Sequence, residues 1–423
     1  MTQSEPATTE DIESKQRVWR GPNALRALRH RDFALFWSGM VVSTTGSWMQ
    51  GIAQGWLVFE LTGSKLYLGL VGAAATLPMF VCALPSGVMA DRFSKRKIVI
   101  LTQALMMIHA FVLAALVYTG AIRPWQILIF AALAGVINAM DVPARQAMTI
   151  ELVGKDDLLN AVALTASAFN GARIVGPAIA GAIIAARGTG LCFLINAVSY
   201  LAVIAGLLMI RPTRARASYN GESVVAQIRE GLRYARGNVV IRDLLILTGV
   251  SSIFLMQYGT MMPVFARDVL RVGAQGLGVM MAAAGAGALT AGIAVAVLSH
   301  RVRPERIVAV GSLLAPAGLI AFSQSTVYPL SIASLAVTGF GTMSFLAVSN
   351  TIVQTAAPDS LRGRVLSVRV VVFMGLAWLG ALQVGAIAQY AGVRSAMLFG
   401  GLVYLAVALT FVFRSPALRT HKP

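Results

Sequence analysis

Long apolar stretches alternate with short polar turns along almost the whole chain. They cover 33–59, 66–90, 98–119, 125–152, 158–185 and 190–210, then 241–265, 273–299, 307–323, 328–356, 363–389 and 395–413. A helix needs roughly 20 apolar residues to cross a bilayer core about 30 Å thick, and stretches of this length predict membrane-spanning helices. The expected fold class is therefore an all-α membrane protein with 12 transmembrane helices, six before the segment 211–240 and six after it. Residues 1–32 and 414–423 are expected to be N- and C-terminal tails, 33–210 and 241–413 two six-helix bundles, and 211–240 a central loop. Within that loop Val225, Ile228 and Leu232 recur at helical spacing, with Arg229, Glu230, Arg233 and Arg236 on the other faces, which predicts an amphipathic helix lying on a lipid surface.

The two halves echo each other. KDDLLNAVAL from Lys155 aligns with PDSLRGRVLS from Pro358, and YLAV recurs at Tyr200 and Tyr404. Gly69 pairs with Gly278 and Arg92 with Arg301 at a single shared offset. Such repetition predicts pseudo-symmetric parallel halves related by an axis along the membrane normal, an arrangement used by secondary transporters.

Composition agrees with a membrane location: 57% of the 423 residues are hydrophobic and 12% charged, against about a quarter charged in soluble proteins. The net charge of +18 would suit nucleic acid, but most Lys and Arg fall on alternate loops, the positive-inside pattern of a multi-pass membrane protein. That pattern predicts a multi-pass chain with both termini cytoplasmic and no nucleic-acid partner. The polar, acidic start lacks the basic head and apolar core of a secretory signal. Cys82 and Cys192 lie inside apolar spans, where a lone cysteine is a small hydrophobe. Neither a metal site nor a cofactor is expected.

Two motifs stand out. Between the second and third spans the chain reads GVMADRFSKRK, Gly87 to Lys97. A glycine that lets helices approach, followed by an acid and a basic cluster, suits ion pairs that hold one conformation shut. Here the chain resembles the major facilitator superfamily, whose loop signature Gly87, Asp91, Arg92 and Arg96 match, with Ser94 in place of a second glycine and Lys95 in place of an arginine. The fifth span carries NGARIVGPAIAG, which resembles the helix-five signature of that superfamily's exporters at Gly176, Pro177 and Gly181. Gly171 is one residue out of register and Ala180 replaces a glycine. Small residues at such spacing permit tight helix contact, which is the plain alternative. The run DVPARQAMTIELVGKDDLLNAVAL is similar to the bacterial subgroup that includes the enterobactin exporter. The resemblance spans residues 23–414 and implies the major facilitator fold and a small organic solute such as a siderophore, drug or metabolite.

The fourth span holds Asp141 and Arg145, four residues apart and so on one helix face. Asp141 is roughly 24 Å into the helix, and an acid at the centre of a membrane helix costs about 2.5–3.5 kcal/mol on insertion scales. Three roles stay open: a cytoplasmic gate with Lys95, Arg96 or Arg145; a proton-coupling site; or a passive partner for a snorkelling Arg145. The repeat-related positions, Ser344 and Val348, are uncharged. Arg173 lies near the midplane of the fifth span, where it can hold an anionic solute group, pair with a carboxylate such as Asp141, or serve structure alone. Arg369 is read as snorkelling and His109 as an interior histidine. Ser43, Ser47, Gln50 and Gln54 form a polar stripe expected to line the solute path, with Asn170, Gln257, Tyr258 and Asn350 on other helices.

These features predict a monomeric, non-enzymatic secondary transporter working by alternating access, exporting a small solute in exchange for protons or another ion. No ATP-binding loop occurs in the sequence. An uptake carrier, or a non-transporting receptor or partner-binding module on the same fold, are the alternatives.

Overall fold

The structure, a computed structural model, describes residues 23–154, 156–210, 224–299 and 301–414, except for the side chains of 23, 24, 83–92, 224–227 and 414. The remainder of both tails and of the central loop lies outside the described residues, as do the side chains of Gly87, Asp91 and Arg92. After a short 3-10 turn, Asn23–Arg29, the first bundle consists of α1 (Arg31–Thr62), α2 (Lys65–Arg92), α3 (Lys95–Tyr118), α4 (Pro124–Val153), α5 (Leu158–Arg187) and α6 (Thr189–Met209). A connecting helix, Val224–Gly237, leads to the second bundle. There the spans are α7 (Val239–Val269), α8 (Gly273–Leu298), α9 (Pro304–Gln324), α10 (Tyr328–Ala356), α11 (Arg362–Ala391) and α12 (Val393–Arg414).

Eleven of these helices are long and apolar enough to cross a membrane. The exception is α1, whose 32 residues are diluted by Ser43, Ser47, Gln50 and Gln54. Length is not what it lacks: at about 1.5 Å per residue it exceeds a bilayer core.

Internal symmetry is visible in the turns. A single residue separates α5 from α6 and α11 from α12, and these residues, Gly188 and Gly392, have φ of +80° and +90°. Reversal over one residue demands a left-handed backbone that a side chain resists.

The halves differ in helix continuity. The expected continuous spans 241–265 and 363–389 are both interrupted. In α7, Ser251–Leu255 and Phe265–Val269 form π-helical turns, and α11 breaks at Leu376 between Arg362–Gly375 and Ala377–Ala391. The two breaks meet: Ser252 Oγ donates to Phe373 O at 2.5 Å, and Gln257 Nε2 donates to Ser252 O at 3.1 Å. Side chains thus satisfy carbonyls that regular helix would have paired, as apolar surroundings require.

The connecting helix is docked on protein along part of its length. Ala235 is buried, Ile228 and Leu232 pack on the core, and Glu230 forms an ion pair with Arg364 at the start of α11. Of the stripe expected to face lipid, Ile228 and Leu232 therefore face protein, and the Val225 side chain lies outside the described residues.

Candidate functional site

Asp141 sits inside the first bundle at 2% exposure, and its carboxylate is fully occupied. Oδ1 accepts from Thr102 Oγ1 at 2.7 Å and Gln103 Nε2 at 3.0 Å, while Oδ2 meets Arg145 Nε at 2.6 Å. Ser43 Oγ on α1 donates to Gln103 Oε1 at 3.4 Å, orienting that amide. The Thr102 hydroxyl also lies 3.0 Å from Val99 O, so its single proton has two alternative acceptors. Charge-assisted bonds to a desolvated carboxylate are the strong ones, and together they offset the cost of burying it.

The other predicted gate residues have different partners. Lys95 Nζ pairs with Glu151 at 2.5 Å, and Arg96 donates to Leu207 O at 2.7 Å and Leu208 O at 3.2 Å, holding the end of α6. Of the cations expected to reach Asp141, Arg145 alone does so among the described residues. Lys95 and Arg96 start α3, whereas Asp141 lies about three turns inside the end of α4, so they stand at different heights in the bundle.

The polar stripe of α1 divides. Ser43 and Gln50 are buried within the bundle rather than on its open face, and Asn196 Nδ2 of α6 donates to Gln50 Oε1 at 2.6 Å. Ser47 Oγ lies 3.2 Å from Tyr200 Oη, which is 3.4 Å from Asn196 Nδ2. Ser47 itself is exposed and Gln54 half-buried. A stripe at steps of four and three cannot by itself tell an inner seam from an open path. Elsewhere, Asn170 bonds back to Ala166 O, Gln257 serves the α7 break, and Tyr258 is buried.

Arg369 does not snorkel. It donates to Asn350 Oδ1 (2.8 Å), Leu346 O (2.9 Å) and Ser349 Oγ (3.1 Å), all on α10, and its Nε is buried without a partner. Arg173 is half-buried and, among the described residues, makes no hydrogen bond or ion pair; Asp141 is not its partner. His109 is an interior histidine, its Nε2 3.0 Å from Phe130 O.

The α5 glycines have a geometric role. A methyl group at Gly176 would lie 2.8 Å from Thr45 O, and one at Gly181 would lie 2.6 Å from Ala274 O and 3.0 Å from the Cα of Gly278. Residues five apart on a helix are about 140° apart around it. Gly176 therefore serves the seam with α1, and Gly181 the seam between bundles. The pattern recurs in α11: Gly375, Gly380 and Gly385 are spaced as Gly171, Gly176 and Gly181 are. There Gly380 packs on Ile253 O of α7, and Gly385 meets Gly69 of α2 in the other bundle. Two glycine-to-glycine crossings thus close the bundles together at one end. Polar side chains join them: Gln389 Oε1 accepts from the Lys65 and Leu66 N–H groups at 3.0 and 3.3 Å, and Arg267 donates to Phe59 O at 3.3 Å. Toward the opposite, basic end the same face of α5 is uncovered, with Ala163 and Ser167 exposed.

Sequence reasoning missed Thr102, Gln103 and Asn196 as parts of the buried network. Their signal was available, since each is a polar residue inside an otherwise apolar span.

The bundles are thus joined at one end by glycine crossings, while toward the other end the described face of α5 is exposed. A profile of the transmembrane secretion effector family matches residues 23–422. The chain belongs to that family, among the transporters of the major facilitator superfamily. The transporter is 29% identical to the multidrug efflux pump Tap of Mycolicibacterium fortuitum over 379 residues, covering 87% of this chain and 91% of Tap. It is 24% identical to the enterobactin exporter EntS of Escherichia coli O1:K1, covering 79% and 80%. In fold it is similar to a bacterial homologue of the lysosomal transporter Spinster solved in an inward-facing, unoccupied conformation, with a TM-score of 0.69, 15% identity, and 93% and 97% of the chains covered. The transporter is a multi-pass membrane protein that handles a small molecule, not an enzyme.

Proposed function

We propose that the transporter exports a small organic solute from a bacterial cell in exchange for protons, as a monomer in the cytoplasmic membrane with both termini inside. Named relatives that act in efflux support the direction, and the excess of Lys and Arg on the loops at one end supports the orientation. In that orientation the glycine crossings close the outer end, and the path is open to the cytoplasm, ready for cargo.

The observation that carries the coupling is Asp141, buried at 2% exposure between Arg145, Thr102 and Gln103. A proton arriving there cancels its charge and releases Arg145. Thr102 accommodates the change by turning its hydroxyl to Val99 O and accepting from the new carboxyl O–H. The freed guanidinium then needs another acceptor, so protonation shifts the balance between two packings of the first bundle, which is how a local charge change drives a bistable element. Asp141 is thus proton carrier and internal lock in one, and Lys95 and Arg96 at the start of α3, with Gly87, Asp91 and Arg92 at the end of α2, support the cytoplasmic gate around it. The solute path runs along Ser47, Gln54 and Arg173 on the first bundle and past Gln257, Tyr258 and Asn350 on the second.

The test is energised transport. Spent medium from cells that overproduce the protein, compared with medium from cells that lack it, contains an enriched compound that a protonophore removes. Asp141→Asn, which preserves shape and an acceptor oxygen, abolishes that enrichment while the protein still reaches the membrane. Unchanged enrichment in the variant overturns the coupling role.

A further inference from the structure

The charge balance of the membrane interior points to the class of solute, an inference that rests on the transport reading of the same path. Four ionisable acids and guanidiniums lie about two turns or more from the ends of their spans among the described residues: Asp141, Arg145, Arg173 and Arg369. Asp141 and Arg145 neutralise each other at 2.6 Å. Arg369 is held by neutral acceptors, so its charge is not cancelled. Arg173 has no partner at all among the described residues. The other acids of the spans sit at helix ends, as Glu60 does, or beside an arginine, as do Asp243 and Asp268.

The helical phase of α5 shows which way Arg173 is turned. Val175, Ala178, Ile179 and Ala182 form its exposed outer face. Arg173 lies on the opposite side, between the Gly176 seam with α1 and the Gly181 seam with α8, and its backbone carbonyl abuts Gly285 of α8. It is nonetheless half-buried rather than enclosed, so the space it reaches is the path between the bundles, not lipid.

A guanidinium held near the midplane without a counter-charge is costly unless an anion completes it. Its planar fork matches a carboxylate or phosphate. We propose that the cargo is an organic anion, whose acidic group docks on Arg173 inside a path of net positive charge, with Arg369 contributing at longer range. An organic cation is repelled by the same field.

A pair of dyes on one ring system tests this. Carboxyfluorescein is an anion and tetramethylrhodamine methyl ester a cation of closely similar shape. Fluorescence anisotropy of each dye with the full-length protein in neutral-lipid nanodiscs, against empty nanodiscs, is expected to show carboxyfluorescein bound at least about tenfold more tightly. Arg173→Gln removes that preference, Arg173→Lys keeps part of it, and Arg187→Gln, at the exposed C-terminal end of α5, leaves it in place. Equal or tighter binding of the rhodamine ester, no binding of the anion, or a preference unchanged by Arg173→Gln overturns the inference. Energised dye flux into inverted vesicles reports export separately. Anion binding without flux overturns export and leaves the anion class standing, whereas flux of the rhodamine ester alone does the reverse.

Discussion

The first and second bundles repeat one another in topology and divide the physical work. In α4 the first bundle buries Asp141 and pairs it with the half-buried Arg145, whereas the aligned positions of α10, Ser344 and Val348, are buried and uncharged. The second bundle instead carries interrupted backbone in α7 and α11, while their counterparts α1 and α5 run unbroken over 32 and 30 residues. Aligned serines show the split at one position: Ser43 makes a 3.4 Å contact to a side chain, and Ser252 a 2.5 Å bond to a backbone carbonyl at a helix break. A buried ion pair and an interrupted helix backbone are two different departures from plain apolar packing, and each half carries one. The glycine crossings, in contrast, are shared evenly.

That even sharing is the easiest part of the comparison to break. Gly181→Leu and Gly385→Leu place side chains where even a methyl group meets opposing backbone. Both are expected to prevent closure of the outer end and reduce energised flux to background in inverted vesicles. A large loss from one and none from the other would show that the crossings are not equivalent.

A smaller effect separates the charged from the uncharged half. Arg145→Ala leaves Asp141 buried without its cation and costs about 3–5 kcal/mol, the range for breaking a buried pair. Val348→Ala removes two methyl groups and costs about 1–2 kcal/mol by lost burial. Thermal unfolding in detergent should therefore drop far more for Arg145→Ala, and equal drops would remove the lock from Asp141. Smallest is the serine pair. Ser252→Ala forfeits a short bond worth about 1 kcal/mol and lowers the melting temperature modestly, while Ser43→Ala, with its long contact, has less effect on stability. The reverse order would mean that the α7 break is held by other groups.

Much of the fold was legible because lipid imposes a simple rule. Every span must be apolar and helical, so hydropathy located eleven helices to within a few residues, and the long stretch 33–59 marked the more polar α1. Repetition was legible too, though the full recurrence of Gly171, Gly176 and Gly181 in α11 became apparent once the crossings were seen. The helix breaks were not legible, since SSIFLMQYG reads as ordinary apolar helix and its π-turn depends on Ser252 finding Phe373 on another span. The candidate site was legible in its charges: Asp141, Arg145 and Arg173 are conspicuous in any apolar context. Their partners were not. Lys95 and Arg96 lie near Asp141 in neighbouring helices, yet a helix sets each side chain's height and direction, and these two are spent on Glu151 and on the end of α6.

The sequence by itself determined that this chain spans the membrane many times, that its halves are copies, and that a few charges are buried at a cost. Those properties follow from hydrophobicity and helical period, which act locally. Only the tertiary structure decided which charges are cancelled and which are left without a partner among the described residues. Pairing is a matter of a few ångströms between different helices, and no periodicity along one helix encodes the rotation of its neighbour. Asp141 and Arg173 read alike as anomalies in a linear chain; packing closed one into a network and left the other half-buried and unpaired among the described residues.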